Sequence, residues 1–179
     1  MSEDMTKSGM ASGISFEEFV GASEEGNFVR QRVGEIRLSP SFEKALGDFG
    51  KTTLVVFADL GCPDCRAVLP FLGKIGEVNP NIGVVFKEWN SVSEEFLQQR
   101  LGTGRVPTIL TLDASGKLMD GAFIERPLAV HRATAEASSR KEGMLAIGKF
   151  RNGGNNDLIE EDLLKVLRGE KSDVLPYLK

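Results

Sequence analysis

The run Gly61-Cys62-Pro63-Asp64-Cys65-Arg66 holds both cysteines of the chain, two residues between them. Such a pair can exchange thiols with disulfides, supply half of a zinc site, or be inert structure. The residues around it favour exchange. An apolar run precedes the motif and a helix pattern follows it, which puts Cys62 at a helix N-terminus. Backbone N–H groups and the helix dipole favour a thiolate there. Pro63 suits the first helical turn, where its missing N–H needs no partner. The spacing sets Cys65 one turn on, within reach of the first sulfur. One cysteine would attack a disulfide and the other resolve the mixed disulfide. A zinc site needs four ligands. No second pair exists, and His131 is the only histidine.

The elements that carry this turn are legible in the central part of the chain. Thr52 to Ala58 is apolar and β-branched, the signature of a strand buried on both faces. Cys65, Val68, Leu69, Leu72 and Ile75 follow at helical spacing, with Pro70 among them. Ile82 to Phe86 reads as a second strand. Ser91 opens a helix that Gly102 can end, and Val106 to Leu112 reads as a third strand. Asp113 to Gly116 is a turn, from which Lys117 to Ile124 pairs back as a hairpin. This alternation predicts βαβ units with a parallel sheet and an antiparallel edge. Upstream, residues 1–14 read as a flexible tail. Ser15-Phe16-Glu17-Glu18 has capping-box form, and Gly21 and Gly26 predict a break before Phe28. Glu35 to Leu38 is a candidate edge strand, and Ser41 to Leu46 a short helix. Downstream, Leu128 to Ala146 reads as one Ala-rich helix, Arg151 to Asn156 as a loop, and Asp157 to Arg168 as the last helix.

Composition limits the function classes. The 179 residues are 41% hydrophobic and 27% charged, which fits a globular domain and excludes a disordered or fibrous chain. The net charge of −4, without a basic cluster, speaks against nucleic acid and anionic membranes. No apolar stretch approaches the roughly 20 residues of a membrane span. The first residues lack the apolar core of a secretory signal. The expectation is therefore a cytoplasmic protein, in a compartment where thiols stay mostly reduced.

Three features together resemble the thioredoxin superfamily: Cys62-Pro63-Asp64-Cys65 after a strand, Pro70 five residues past Cys65, and Arg105-Val106-Pro107-Thr108 opening a later strand. The stretches Leu101 to Pro107 and Glu125-Arg126-Pro127 are further similar to a bacterial thioredoxin-like subgroup with a C-x-D-C-R motif. The resemblance implies an α/β thioredoxin fold, a central mixed sheet flanked by helices. One domain would span 15–179: an N-terminal helical extension (15–50), a core (51–126), an insert (127–156) and a C-terminal helix (157–169). It also implies a cis Val106–Pro107 peptide beside the sulfurs, where the Val106 backbone can hydrogen-bond a substrate strand.

Some positions depart from that pattern. Gly61 stands where the family usually has Trp, and Val56 where a buried acid usually sits. Asp59 is either a substitute acid or a solvated loop charge. These departures point to a narrower substrate than that of a general reductase. Asp64, Arg66, Arg105 and Asp59 are the groups that could tune the thiols, although either arginine could equally be a surface charge. Lys87 reads as a strand-end surface lysine, or else lies near the sulfurs. His131 reads as a helix-surface residue, and Trp89 as partial core. Phe42, Phe49, Phe57, Phe71, Phe86 and Phe96 are core candidates.

The expected activity is a thiol–disulfide oxidoreductase that mainly reduces disulfides, with Cys62 as nucleophile, Cys65 as resolver, and Val106 and Pro107 docking the substrate. No metal or organic cofactor is needed. The partners would be a disulfide-containing protein or small thiol, and a reductase or low-molecular-weight thiol as electron donor. The alternative is a redox-sensing or adaptor module without rapid turnover.

Overall fold

The computed structural model describes residues 7–178. Its centre is a four-stranded sheet in the order β2-β1-β3-β4, formed by β1 (Thr52–Ala58), β2 (Ile82–Glu88), β3 (Thr108–Leu112) and β4 (Leu118–Ile124). β1 is parallel to β2, with Val55 opposite Val85. It is antiparallel to β3, where Val55 faces Leu110, and β4 is antiparallel to β3. The sheet is therefore mixed, with β3 reversed relative to the parallel order that alternation predicted. Alternating strand and helix signals a crossover but does not fix the direction in which the next strand runs.

The pleat divides β1 between two cores. Leu54, Val56 and Ala58 face the larger one with Leu69, Leu72 and Ile75 of α5 (Pro63–Val78). Val55 and Phe57 face a smaller one with Leu97, which lies on α6 (Ser91–Leu101). Phe42, Phe57, Phe71 and Phe86 are fully buried. Phe49 and Phe96 are half-buried against the two cores, and Trp89 against the smaller.

Helices α1 (Lys7–Met10), α2 (Phe16–Val20), α3 (Glu24–Glu35) and α4 (Pro40–Gly47) precede the sheet. Ser15 caps α2 as its capping-box sequence predicts, accepting the Glu18 N–H at 3.1 Å. The break falls at Gly21, whose φ is +55°. Gly26 lies inside α3 instead, because Ser23 starts a new helix by accepting the Gly26 N–H. Gly26 also sits where a Cβ would come within 1.8 Å of the Val20 carbonyl oxygen. Glu35 to Leu38 forms no strand: Glu35 ends α3 and the next residues are extended without a ladder partner. The expected tail to residue 14 is also corrected over the described residues 7–14. Met10 is buried, and Ile14 exchanges backbone hydrogen bonds with Phe86 at 3.2 and 2.9 Å. The rest of that expectation lies outside the described residues.

After the sheet, α7 (Leu128–Ala135) and α8 (Arg140–Arg151) replace the single helix expected over Leu128–Ala146. Ser139 interrupts the run by capping α8 through the Glu142 N–H. α9 (Asn156–Leu167) buries Ile159, Leu163, Val166 and Leu167 in the larger core. Gly169, with φ +69°, follows its C-cap Arg168. Its Glu160 accepts both the backbone N–H and the hydroxyl of Ser39, the α4 cap. Among the described residues no helix is long and apolar enough to cross a membrane.

Candidate redox site

The carboxyl end of β1 delivers the chain to α5 through Asp59-Leu60-Gly61. The Asp59 carboxylate accepts the Gly61 N–H at 2.8 Å, and the Asp59 carbonyl accepts the Cys62 N–H at 3.0 Å. Asp59 thus organises the turn. Gly61 fits it closely, since a Cβ there would lie 3.3 Å from the Asp59 carboxylate. Cys62 is the N-cap of α5, with extended backbone and no side-chain capping bond, and Pro63 takes the first helical position.

The two thiols have opposite surroundings. Cys62 is half-buried and Cys65 is fully buried. The Cys62 thiol is lowered to about 6. The largest cause is a hydrogen bond from the Cys65 side chain. The backbone N–H groups of Cys65 and Asp64 help, while burial and the Asp64 charge oppose. Burial pushes the Cys65 thiol far up, and its bond to Cys62 and the Cys62 charge add to this. One sulfur is thus poised as an anion and the other as the donor that stabilises it. The Asp59 N–H lies 3.5 Å from the Cys65 sulfur.

The third wall is the turn before β3. The Val106–Pro107 peptide is cis, and the Cys62 sulfur lies 3.7 Å from the Val106 carbonyl oxygen. Val106 precedes β3, which starts at Thr108. The Thr108 hydroxyl donates to the Arg105 carbonyl at 2.7 Å and closes the turn.

The remaining candidates are spread around this centre. Asp64 is 2% exposed. Its two oxygens accept Arg126 Nε at 3.0 Å and Arg151 Nε at 2.6 Å. Arg105 turns to Glu125 at 2.8 Å and to the Leu178 carbonyl. Arg66 stands beside the motif in a groove of about 450 Å³ between α3, α5 and α8, with Phe28, Arg32, Pro63 and Arg151. Lys87 is neither at the sulfurs nor on the surface: it is buried, and its ammonium donates to the Gly9 carbonyl at 2.7 Å. His131 is buried as well, with Nε2 2.8 Å from the Ile124 carbonyl oxygen. It lies beside buried Val130 on the inward side of α7, while Arg132 directly after it makes the stretch read as a polar surface. Among the described residues no group of three or more His, Cys, Asp or Glu side chains is placed to hold a metal ion.

Sequence reasoning missed the arginine pair on Asp64. Arg126 was visible only as part of Glu125-Arg126-Pro127. Arg151 stands 87 positions from Asp64, so no local spacing could announce it. Glu125 is the one described non-glycine residue with a positive φ, +66°. That conformation costs about 1–3 kcal/mol and persists only where its surroundings hold it. Here Glu125 accepts Arg105 and Arg126, both at 2.8 Å, and its N–H donates to the Pro107 carbonyl at 2.7 Å.

A mixed sheet, a C-x-x-C turn opening the helix after β1, and a cis-proline turn against the first sulfur define a protein of the thioredoxin fold. The chain belongs to the thioredoxin family, whose profile matches residues 13–138. A protein of unknown function from Pseudomonas aeruginosa is 25% identical, with a TM-score of 0.73 over 89% of this chain and 95% of that one. An HIV epitope scaffold is 27% identical, with a TM-score of 0.72 over 88% and 93%. Both likenesses reach beyond the stretch that the family profile covers. A search of curated proteins finds no match.

Proposed function

We propose that the protein is a thiol–disulfide oxidoreductase that mainly reduces disulfides. The observation that carries this reading is the asymmetry of the pair: a half-exposed, acidic Cys62 thiol backed by a buried Cys65 thiol. The Cys62 thiolate attacks one sulfur of a substrate disulfide. A Cys62–substrate bond forms, and the other substrate sulfur leaves as a thiolate that takes a proton. Cys65 then gives up its proton and attacks the Cys62 sulfur. The second substrate thiol departs, and the protein holds a Cys62–Cys65 disulfide. The substrate has gained two electrons and two protons.

Val106 and Pro107 serve as the docking edge in this reading, with the groove beside Pro63 and Arg66 taking neighbouring parts of the substrate. A reductase or low-molecular-weight thiol in a reducing compartment such as the cytoplasm returns the electrons. Reduction of insulin with a dithiol donor tests the proposal. Turnover that Cys62→Ser abolishes is the expected result. A wild-type protein that takes no electrons from the dithiol and passes none to a disulfide would overturn it.

A further inference from the structure

The contacts around Cys62 close into a ring. Asp64, two residues on, binds Arg126, and Arg126 Nη2 binds Glu125 at 2.8 Å. The Glu125 N–H holds the Pro107 carbonyl, and the Val106 carbonyl beside it faces the Cys62 sulfur. Arg151 closes on Asp64 from outside the ring, at the last residue of α8. The Asp64 carboxylate is almost fully buried, yet both its oxygens are taken by guanidinium groups from distant parts of the chain. A buried carboxylate so close to a thiolate would otherwise repel it through a poorly screening medium.

We propose that Arg151 and Arg126 are positioning residues that cancel the Asp64 charge beside Cys62 and tie the redox turn to the Val106–Pro107 turn. The helical pair α7–α8 then has a definite task, because it brings Arg151 over the motif. The other charged groups around the pair do not duplicate this. Asp59 is spent on Gly61, Arg105 on Glu125 and the Leu178 carbonyl, Glu125 on Arg105 and Arg126, and His131 on the Ile124 carbonyl. Arg66 shares α5 with the cysteines but makes no ion pair with a described residue, and Arg32, Glu24 and Glu25 lie across the groove on α3.

The inference rests on Cys62 as the attacking group, but its test reads the Cys62 thiol without any turnover. The rate of Cys62 alkylation by iodoacetamide is followed against pH in Asp64→Asn, Arg151→Met and Arg151→Glu. An ion pair that merely fastened α8 would make Asp64→Asn and Arg151→Met act alike, since both break the same bond. Charge cancellation makes them opposite. Asp64→Asn lowers the apparent pKa of Cys62. Arg151→Met raises it by about one unit, which slows alkylation at pH 6 roughly fivefold, and Arg151→Glu raises it further. Arg151 is the more exposed of the two arginines, so its variants are the ones expected to keep the fold. Should Asp64→Asn not fold, the graded order of Met and Glu decides. Shifts of the same sign in Asp64→Asn and Arg151→Met, or equal profiles for the Met and Glu variants, would overturn the proposal. Insulin turnover, measured separately, reports on the oxidoreductase reading itself.

Discussion

At the scale of single residues, the contrast between the two sulfurs has direct chemical consequences. With its thiol near 6, Cys62 is mostly thiolate at neutral pH, whereas a free cysteine has a pKa of about 8.5. Alkylation of the reduced protein should accordingly rise through pH 6 and level off before pH 8. Cys65 should stay unmodified until the fold opens. Mass mapping of the labelled peptide checks this, and labelling of Cys65 first would reverse the roles assigned above. His131 gives a second dependence on pH. A carbonyl can only accept, so Nε2 must carry its proton, and burial lowers the pKa of the ring. The unfolded chain then takes up a proton near pH 6.5 that the folded one refuses. By linkage, stability present at pH 7.5 is lost as pH falls through that range. Thermal melts between pH 7.5 and 5.5 should fall more steeply for the wild type than for His131→Gln, which keeps an N–H donor. Equal slopes would show that His131 is not the titrating group.

Among the elements, α3 is held by a backbone contact that admits no side chain. A Cβ at Gly26 would meet the Val20 carbonyl oxygen at 1.8 Å. Gly26→Ala should therefore destabilise the protein by about 1–3 kcal/mol, as overpacking does, read as a lower denaturation midpoint with an unchanged slope. The strands and helices with strong patterning, β1, α5, β2 and the hairpin, were plain in the sequence because periodicity is a local property. Two kinds of feature were not. Short polar interruptions that cap a new helix, Ser23 and Ser139, look like the interior of a longer or broken one. Charge partners 62 and 87 positions away have no local signature at all. Asp64 shows the cost of that blindness. In the sequence it reads only as one of several groups that could tune the thiols. In the fold both its oxygens are bonded by arginines, although its charge still opposes the Cys62 thiolate.

On the scale of the whole molecule, the family profile ends at residue 138, yet the larger core does not. Phe150, Ile159, Leu163, Val166 and Leu167 lie beyond that point and are buried in it. The Thr111 hydroxyl on β3 donates to the Val166 carbonyl at 2.8 Å, fastening α9 across the sheet. Leu163→Ala should cost about 2–5 kcal/mol. A chain stopped at residue 138 should lose the sharp, single unfolding transition of the full chain in urea. A truncated chain that still unfolds cooperatively would show that α8 and α9 are accessory.

The backbone bridge between Ile14 and Phe86 bears on how the molecule meets its neighbours. β2 is an outer strand of the sheet, and outer strands offer unpaired N–H and C=O groups to any passing chain. The segment around Ile14 occupies part of that row, and Gly13 lies so close that a Cβ would come within 2.8 Å of the Phe86 carbonyl oxygen. The buried Lys87 ammonium pins the same segment at Gly9. The strap therefore covers part of the row that another chain would otherwise pair with. Removing residues 1–14 should leave the Cys62–Cys65 turn intact but let copies join along β2, seen as concentration-dependent growth in light scattering that the full chain does not show.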